Sequence, residues 1–154
     1  MKIGVPTEVK ILEGRVALIP EAAGQLTDAG HSVFIQSGAG LQSGYIDSDY
    51  ESAGVQIVST ANAVFENSEM IVKVKEPQPE ELGLLRADHL LFSYLHLAAE
   101  PELMQSLLNI GLTTVAFETI EHKQQLPLLA PMSDIAGRLT VQIGSNPLQQ
   151  PHGG

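Results

Sequence analysis

No cysteine occurs among the 154 residues. Disulfides, thiolate catalysis and Cys-based zinc sites are therefore excluded, and the pattern fits a cytoplasmic chain. Basic side chains are scarce, with 8 Lys and Arg against 18 Asp and Glu and a formal charge of -10. Without a basic patch to offset phosphate, nucleic-acid binding is not expected. No apolar run approaches the roughly 18 residues that suggest a membrane span. The opening Met1–Pro6 lacks the longer apolar segment of a signal peptide and reads as a first strand. Internal repeats and low-complexity stretches are missing too. What is present is a hydrophobic content of 44%, enough for the packed core of one ordinary domain.

Strand-like and helical segments alternate. Strands are expected over 2–5, 31–36, 55–58, 70–75, 90–95 and 113–117. Helices are expected over 20–29, 47–53, 60–66, 80–85 and 102–109, several of them closed by glycine. This alternation predicts an α/β fold: a mostly parallel, Rossmann-like (flavodoxin-like) sheet with helices on both faces. After Phe117 the pattern changes. An irregular stretch through Pro127 and Pro131 leads to a long C-terminal linker helix, with Ser133 as its N-cap. The expected division is a substrate domain over 1–130, a linker helix over 131–146 and a truncated linker over 147–154.

Ligands of open α/β sheets bind at the carboxyl ends of strands, so charged residues there draw attention. The run Leu90–Leu95 delivers Tyr94 and His96 to such an end, just before a helix that starts at Glu100-Pro101-Glu102. An imidazole there suits general acid/base work; the alternative is a hydrogen-bonded core histidine. Tyr94, two residues earlier, orients a ligand or simply packs. By alternation Lys73 and Lys75 share a face, one reaching solvent and the other the sheet edge. An ammonium at that edge polarises a carbonyl or holds a carboxylate. Arg15 follows the first strand, and its guanidinium fork suits a small carboxylate. Glu8 and Glu118 also follow strands and are read as structural partners for these cations.

Other chemistries find no support. Gly38-Ala39-Gly40-Leu41-Gln42-Ser43-Gly44 is one residue longer than the dinucleotide fingerprint, and no helix opens within it, so it reads as a glycine-rich turn. No phosphate-binding P-loop exists. The remaining histidines, His31, His89, His122 and His152, show no metal-type pairing, and no G-x-S-x-G is present.

The segments Met1–Glu8, Arg15–Leu18, Gly38–Gly40, Val72–Pro77, Tyr94–Glu100 and Pro131–Arg138 together resemble the N-terminal part of the bacterial L-alanine dehydrogenase family. That family interconverts L-alanine with pyruvate and ammonia, using NAD. The resemblance implies that Arg15 binds the substrate carboxylate and that Lys75 contacts the carboxylate or carbonyl. It makes His96 the acid/base around the imine and Tyr94 part of the pocket lining. Met132 and Ser133 would border the nicotinamide, with Ser133 at a helix N-terminus suited to phosphate. The related proton-translocating transhydrogenase subunit shares the opening motif and is the alternative. A third reading is a stand-alone pyruvate-binding or oligomerisation module.

The family continues past Gly153-Gly154 into an NAD-binding Rossmann domain and then returns to complete the substrate domain. The present sequence is thus expected to be an inactive fragment with no NAD bound and no metal. Its partners would be L-alanine or pyruvate and further copies of itself.

Overall fold

The structure is a computed structural model that describes residues 1–153, apart from the side chain of His152; Gly154, the last residue of the expected linker, lies outside the described residues. It divides into a first compact unit, Met1–Ala116, and a second from Phe117 onward.

The first unit is a six-stranded sheet in the order β3-β2-β1-β4-β5-β6, formed by β1 (Lys2–Val5), β2 (Ser32–Gln36), β3 (Gln56–Val58), β4 (Met70–Val72), β5 (Leu90–Ser93) and β6 (Thr113–Ala116). Every neighbouring pair is parallel. The order reverses between β1 and β4, so a crevice opens at their carboxyl ends, where α/β proteins place ligands. The loop after β1 and the loop after β4 border that crevice.

Between the strands run α1 (Pro20–Asp28), α2 (Asp47–Ser52), α3 (Ala61–Asn67), α4 (Pro79–Leu82) and α5 (Pro101–Ile110). Their ends follow local chemistry. Thr60 caps α3 by accepting from the Ala63 amide at 3.2 Å. Pro101 starts α5, where its missing N–H costs nothing, and Gly111 ends it with φ +79°. The central strands read as apolar runs because both faces are covered. Ile71, Leu91, Val64 and Phe65 form one cluster with Leu95 and Leu107. Full burial of such a side chain contributes roughly 1.5–3 kcal/mol. Gly4 lets β1 pass close to α3, since a Cβ there would lie 2.2 Å from Ser68 Oγ and 2.7 Å from Val64 Cγ1.

The sixth strand and the helix order match expectation, and the boundaries differ where the site lies. β4 ends at Val72 rather than Lys75, although the ladder runs on through Lys73 N–H to Phe92 O (3.0 Å) and Tyr94 N–H to Val74 O (3.2 Å).

In the second unit, His122 and Gln125 form an antiparallel bridge around Lys123 and Gln124, both at positive φ. A helix follows, α6 (Ala130–Ser145). It starts one turn earlier than expected, with Leu129 at the N-cap, because Pro131 is tolerated in a first turn. Ser133 is therefore not the N-cap: its amide donates to Leu129 O at 3.1 Å.

Candidate active site

The loop after β1 carries Glu8 back over the end of β4. Its carboxylate accepts from the Val74 amide at 2.6 Å and the Lys75 amide at 3.3 Å, and it meets Lys73 Nζ at 3.2 Å. Lys73 Nζ also lies 2.8 Å from Glu81 Oε1 on α4. That contact is within ion-pair distance yet out of line for a hydrogen bond. The Glu81 Oε2 atom accepts instead from the Gln78 amide at 2.9 Å and closes the start of α4. The Lys73, Glu8 and Glu81 side chains are 1%, 3% and 4% exposed. One ammonium thus lies against two buried carboxylates. Burial pushes the Glu8 carboxyl above its ordinary value, against the pull of Lys73 and the two amides. Lys73 goes to the interior rather than to solvent, and Lys75 is left half-buried.

Arg15 is gripped by Glu13. Nε donates to Glu13 Oε1 at 2.8 Å and Nη2 to Oε2 at 2.6 Å. This side-on grip leaves Nη1 without a hydrogen bond among the described residues. The Arg15 side chain is 50% exposed while that of Glu13 is 8% exposed. Arg15 holds the Glu13 carboxyl below the usual range, and Lys75 adds to that effect through its charge. Tyr94 and Glu8 act electrostatically on Arg15 in turn.

Tyr94 is buried and stacks on the ring of His96, with centroids 6.0 Å apart and planes 9° apart. His96 is exposed and sits at φ +49°, a conformation uncommon outside glycine that turns the chain between β5 and α5. Its carbonyl accepts from the Ala99 amide at 2.9 Å. The sequence-predicted residues of this unit thus form a connected set. Lys75 acts on Glu13, Glu13 grips Arg15, Arg15 feels Tyr94, and Tyr94 stacks on His96. Glu13 and Glu81 were not singled out by sequence. For Glu13 a signal existed in its spacing of two from Arg15; for Glu81 none did.

Arg15 borders a cleft of only about 20 Å³ with Thr7, Glu8, Gly38 and Gln42. A larger cavity of about 460 Å³ lies between Lys10, Glu76, Gln78, Glu100 and Leu103. Glu76 there pairs with Lys10. Burial raises the Glu76 carboxyl, but Lys10 and nearby backbone and charge outweigh it and hold it below its ordinary range.

The Gly38–Gly44 turn is no phosphate cradle. The Leu41, Ser43 and Gly44 amides donate to carbonyls of the same turn, the Ala39 amide to Gln36 O at the end of β2, and the Gly38 amide to Asp47. Gly40 is needed for packing: a Cβ there would meet Tyr50 at 2.8 Å. His89 is a core residue. Its Nδ1 accepts from the Arg86 amide at 3.1 Å and its Nε2 lies 3.1 Å from Phe65 O. Among the described residues no group of three His, Asp or Glu could hold a metal. Met132 and Ser133 belong to the second unit, on the first turns of α6.

The profile of the alanine dehydrogenase/PNT N-terminal domain matches residues 4–136. The chain belongs to that family. Alanine dehydrogenase of Bacillus subtilis (strain 168) is 51% identical over the whole chain, and that of Methanococcus maripaludis is 47% identical. The chain spans only 40% and 42% of those two relatives. A solved L-alanine dehydrogenase superposes over the whole chain with a TM-score of 0.94 and 51% identity, 43% of that structure being covered. A transhydrogenase from Sinorhizobium meliloti superposes over 79% of the chain with a TM-score of 0.74 and 28% identity, 35% of it being covered. Within the alanine dehydrogenase/PNT family, the chain therefore corresponds to an N-terminal segment. No helix of its described residues is long and apolar enough to cross a membrane.

Proposed function

We propose that this chain is the substrate-binding portion of an alanine dehydrogenase, holding the carboxylate of pyruvate or L-alanine at the crevice between β1 and β4. The observation that carries this reading is that Arg15, gripped by Glu13, and Tyr94, stacked on His96, share one sheet edge with Lys75. All of these residues lie in segments that follow the carboxyl ends of β1, β4 and β5. With Nε and Nη2 engaged by Glu13, Arg15 offers Nη1 to a carboxylate. Lys75 draws electron density from the keto oxygen, which prepares the carbonyl carbon for ammonia. His96 exchanges the protons of the water and amine steps, and Tyr94 keeps its ring in place by stacking. The 51% identity to an alanine dehydrogenase structure, against 28% to a transhydrogenase, favours this reading over a transhydrogenase subunit.

NAD, in its reduced form, would supply the hydride when pyruvate is aminated and, in its oxidised form, would accept it when L-alanine is deaminated. The described residues do not fit a dinucleotide: the Gly38, Ala39, Leu41, Ser43 and Gly44 amides of the glycine-rich turn already have acceptors, and the Ser133 amide is committed within α6. Any role of Met132 and Ser133 beside a nicotinamide would fall to their side chains. No hydride step is assigned to these residues. Proximity of cofactor and substrate can be worth roughly 7–11 kcal/mol, so the chain alone is inactive in this reading. Exposed Met104 and Leu108 on α5, which line an apolar groove of about 310 Å³, support a homo-oligomer.

The test is a titration of the purified chain with pyruvate by calorimetry or NMR. Saturable binding that disappears in Arg15→Ala is expected. No binding, or binding indifferent to Arg15→Ala, refutes the reading. Alanine-dependent NADH formation by the chain alone would overturn its inactivity.

A further inference from the structure

The loop Lys73–Gln78 begins where β4 ends, at Val72, and its first two residues still bond Phe92 and Tyr94 along the sheet. Lys75, one residue further on, is held from outside. Glu8 reaches over from the loop after β1 and accepts both the Val74 and the Lys75 amides. A carboxylate this buried is costly, and a lone buried ion pair is weak evidence for stability. An apolar residue would fill the same space at lower cost. What an apolar residue could not do is accept two consecutive amides. The third contact of Glu8, to Lys73, balances its charge, and Glu81 shares that ammonium from the far side without touching either amide.

We infer that Glu8 is a positioning residue for Lys75: its carboxylate clamps the Lys75 backbone at the crevice edge, with Lys73 and Glu81 as its buried charge partners. The inference rests on the proposed role of Lys75 in holding the substrate carboxylate or carbonyl. It adds that the precision of that contact is set through the Lys75 backbone. It also accounts for a buried ammonium two residues from a functional one. Lys73 keeps the clamp charged, and Lys75 is thereby left half-buried at the rim.

The test compares Glu8→Gln and Glu8→Asp with Glu81→Gln in this chain. All three disturb the same ammonium, so all share its folding cost. Glu8→Asp keeps the charge and withdraws the oxygens from the amides, so it remains informative if Glu8→Gln does not fold. Pyruvate affinity should fall about tenfold in the Glu8 variants, as for loss of a hydrogen bond to a charged group. It should be unchanged in Glu81→Gln. In a Lys75→Ala background the Glu8 change should have no further effect. Equal losses in Glu81→Gln, or additive losses with Lys75→Ala, would overturn the inference. If the parent chain binds no pyruvate, the proposed function falls and the clamp is judged separately by amide exchange. Faster exchange at Val74 and Lys75 in Glu8→Asp than in Glu81→Gln supports it, and equal exchange refutes it.

Discussion

Lys73→Met removes an ammonium from between two carboxylates and leaves a side chain of similar length. Glu8 lies 3.2 Å and Glu81 2.8 Å from that ammonium, and all three side chains are at most 4% exposed. The variant keeps two buried acceptors of negative charge and loses what balanced them. Breaking a buried pair in this way costs about 3–5 kcal/mol, against about 0–1 kcal/mol for an exposed pair. The assay is urea unfolding followed by far-UV circular dichroism, with stability read from the midpoint at constant slope. The pH dependence carries its own sign. In the variant the Glu8 carboxyl, already held above its ordinary value by burial, loses the Lys73 charge that pulls it down, so the folded state takes up a proton more readily than the unfolded chain. The deficit relative to the parent is largest at neutral pH and shrinks as pH falls toward the folded-state values. Replacing all three residues together, as Lys73→Met with Glu8→Gln and Glu81→Gln, should recover much of the loss. A loss below about 1 kcal/mol at neutral pH, or a deficit that grows on acidification, would refute the reasoning.

Gly4→Ala should destabilise the chain by about 1–3 kcal/mol through overpacking, because its Cβ would sit 2.2 Å from Ser68 Oγ and α3 must shift. An unchanged thermal midpoint would contradict this. Burial, with the charge of Arg86, holds His89 below its ordinary imidazole value, so the folded state keeps it neutral. The stability this contributes is complete above about pH 6.5 and declines as pH drops below it, where only the unfolded chain takes the proton. His89→Gln should flatten the stability-pH slope between about pH 7.5 and 5.5, and an unaltered slope would count against the assignment.

Much of the fold is legible along the chain because its signals are local. Gly111 and Pro101 announce the ends of α5, Thr60 announces the start of α3, and the apolar run Leu90–Phe92 announces a strand buried on both faces. Ser133 reads as the start of α6 from sequence, yet a good capping residue also fits a fourth helical position, where its amide bonds back to Leu129. Alternation gives Lys73 and Lys75 one face with one of them reaching solvent, and the second part fails: Lys73 is buried and Lys75 half-buried past the strand end at Val72. Beyond it, a carboxylate 65 residues away from Lys73 dictates the path.

The order of residues alone determined that strands and helices alternate, where most of them begin and end, and which side chains at strand ends can bear charge. Each of those follows from contacts within a few residues. Only the tertiary structure decided that the sheet order reverses between β1 and β4, that Lys73 is interior and Lys75 at the rim, and that Glu8 and Glu81 hold Lys73. Those outcomes depend on groups far apart in the chain, brought within about 3 Å only after burial makes every uncompensated charge costly.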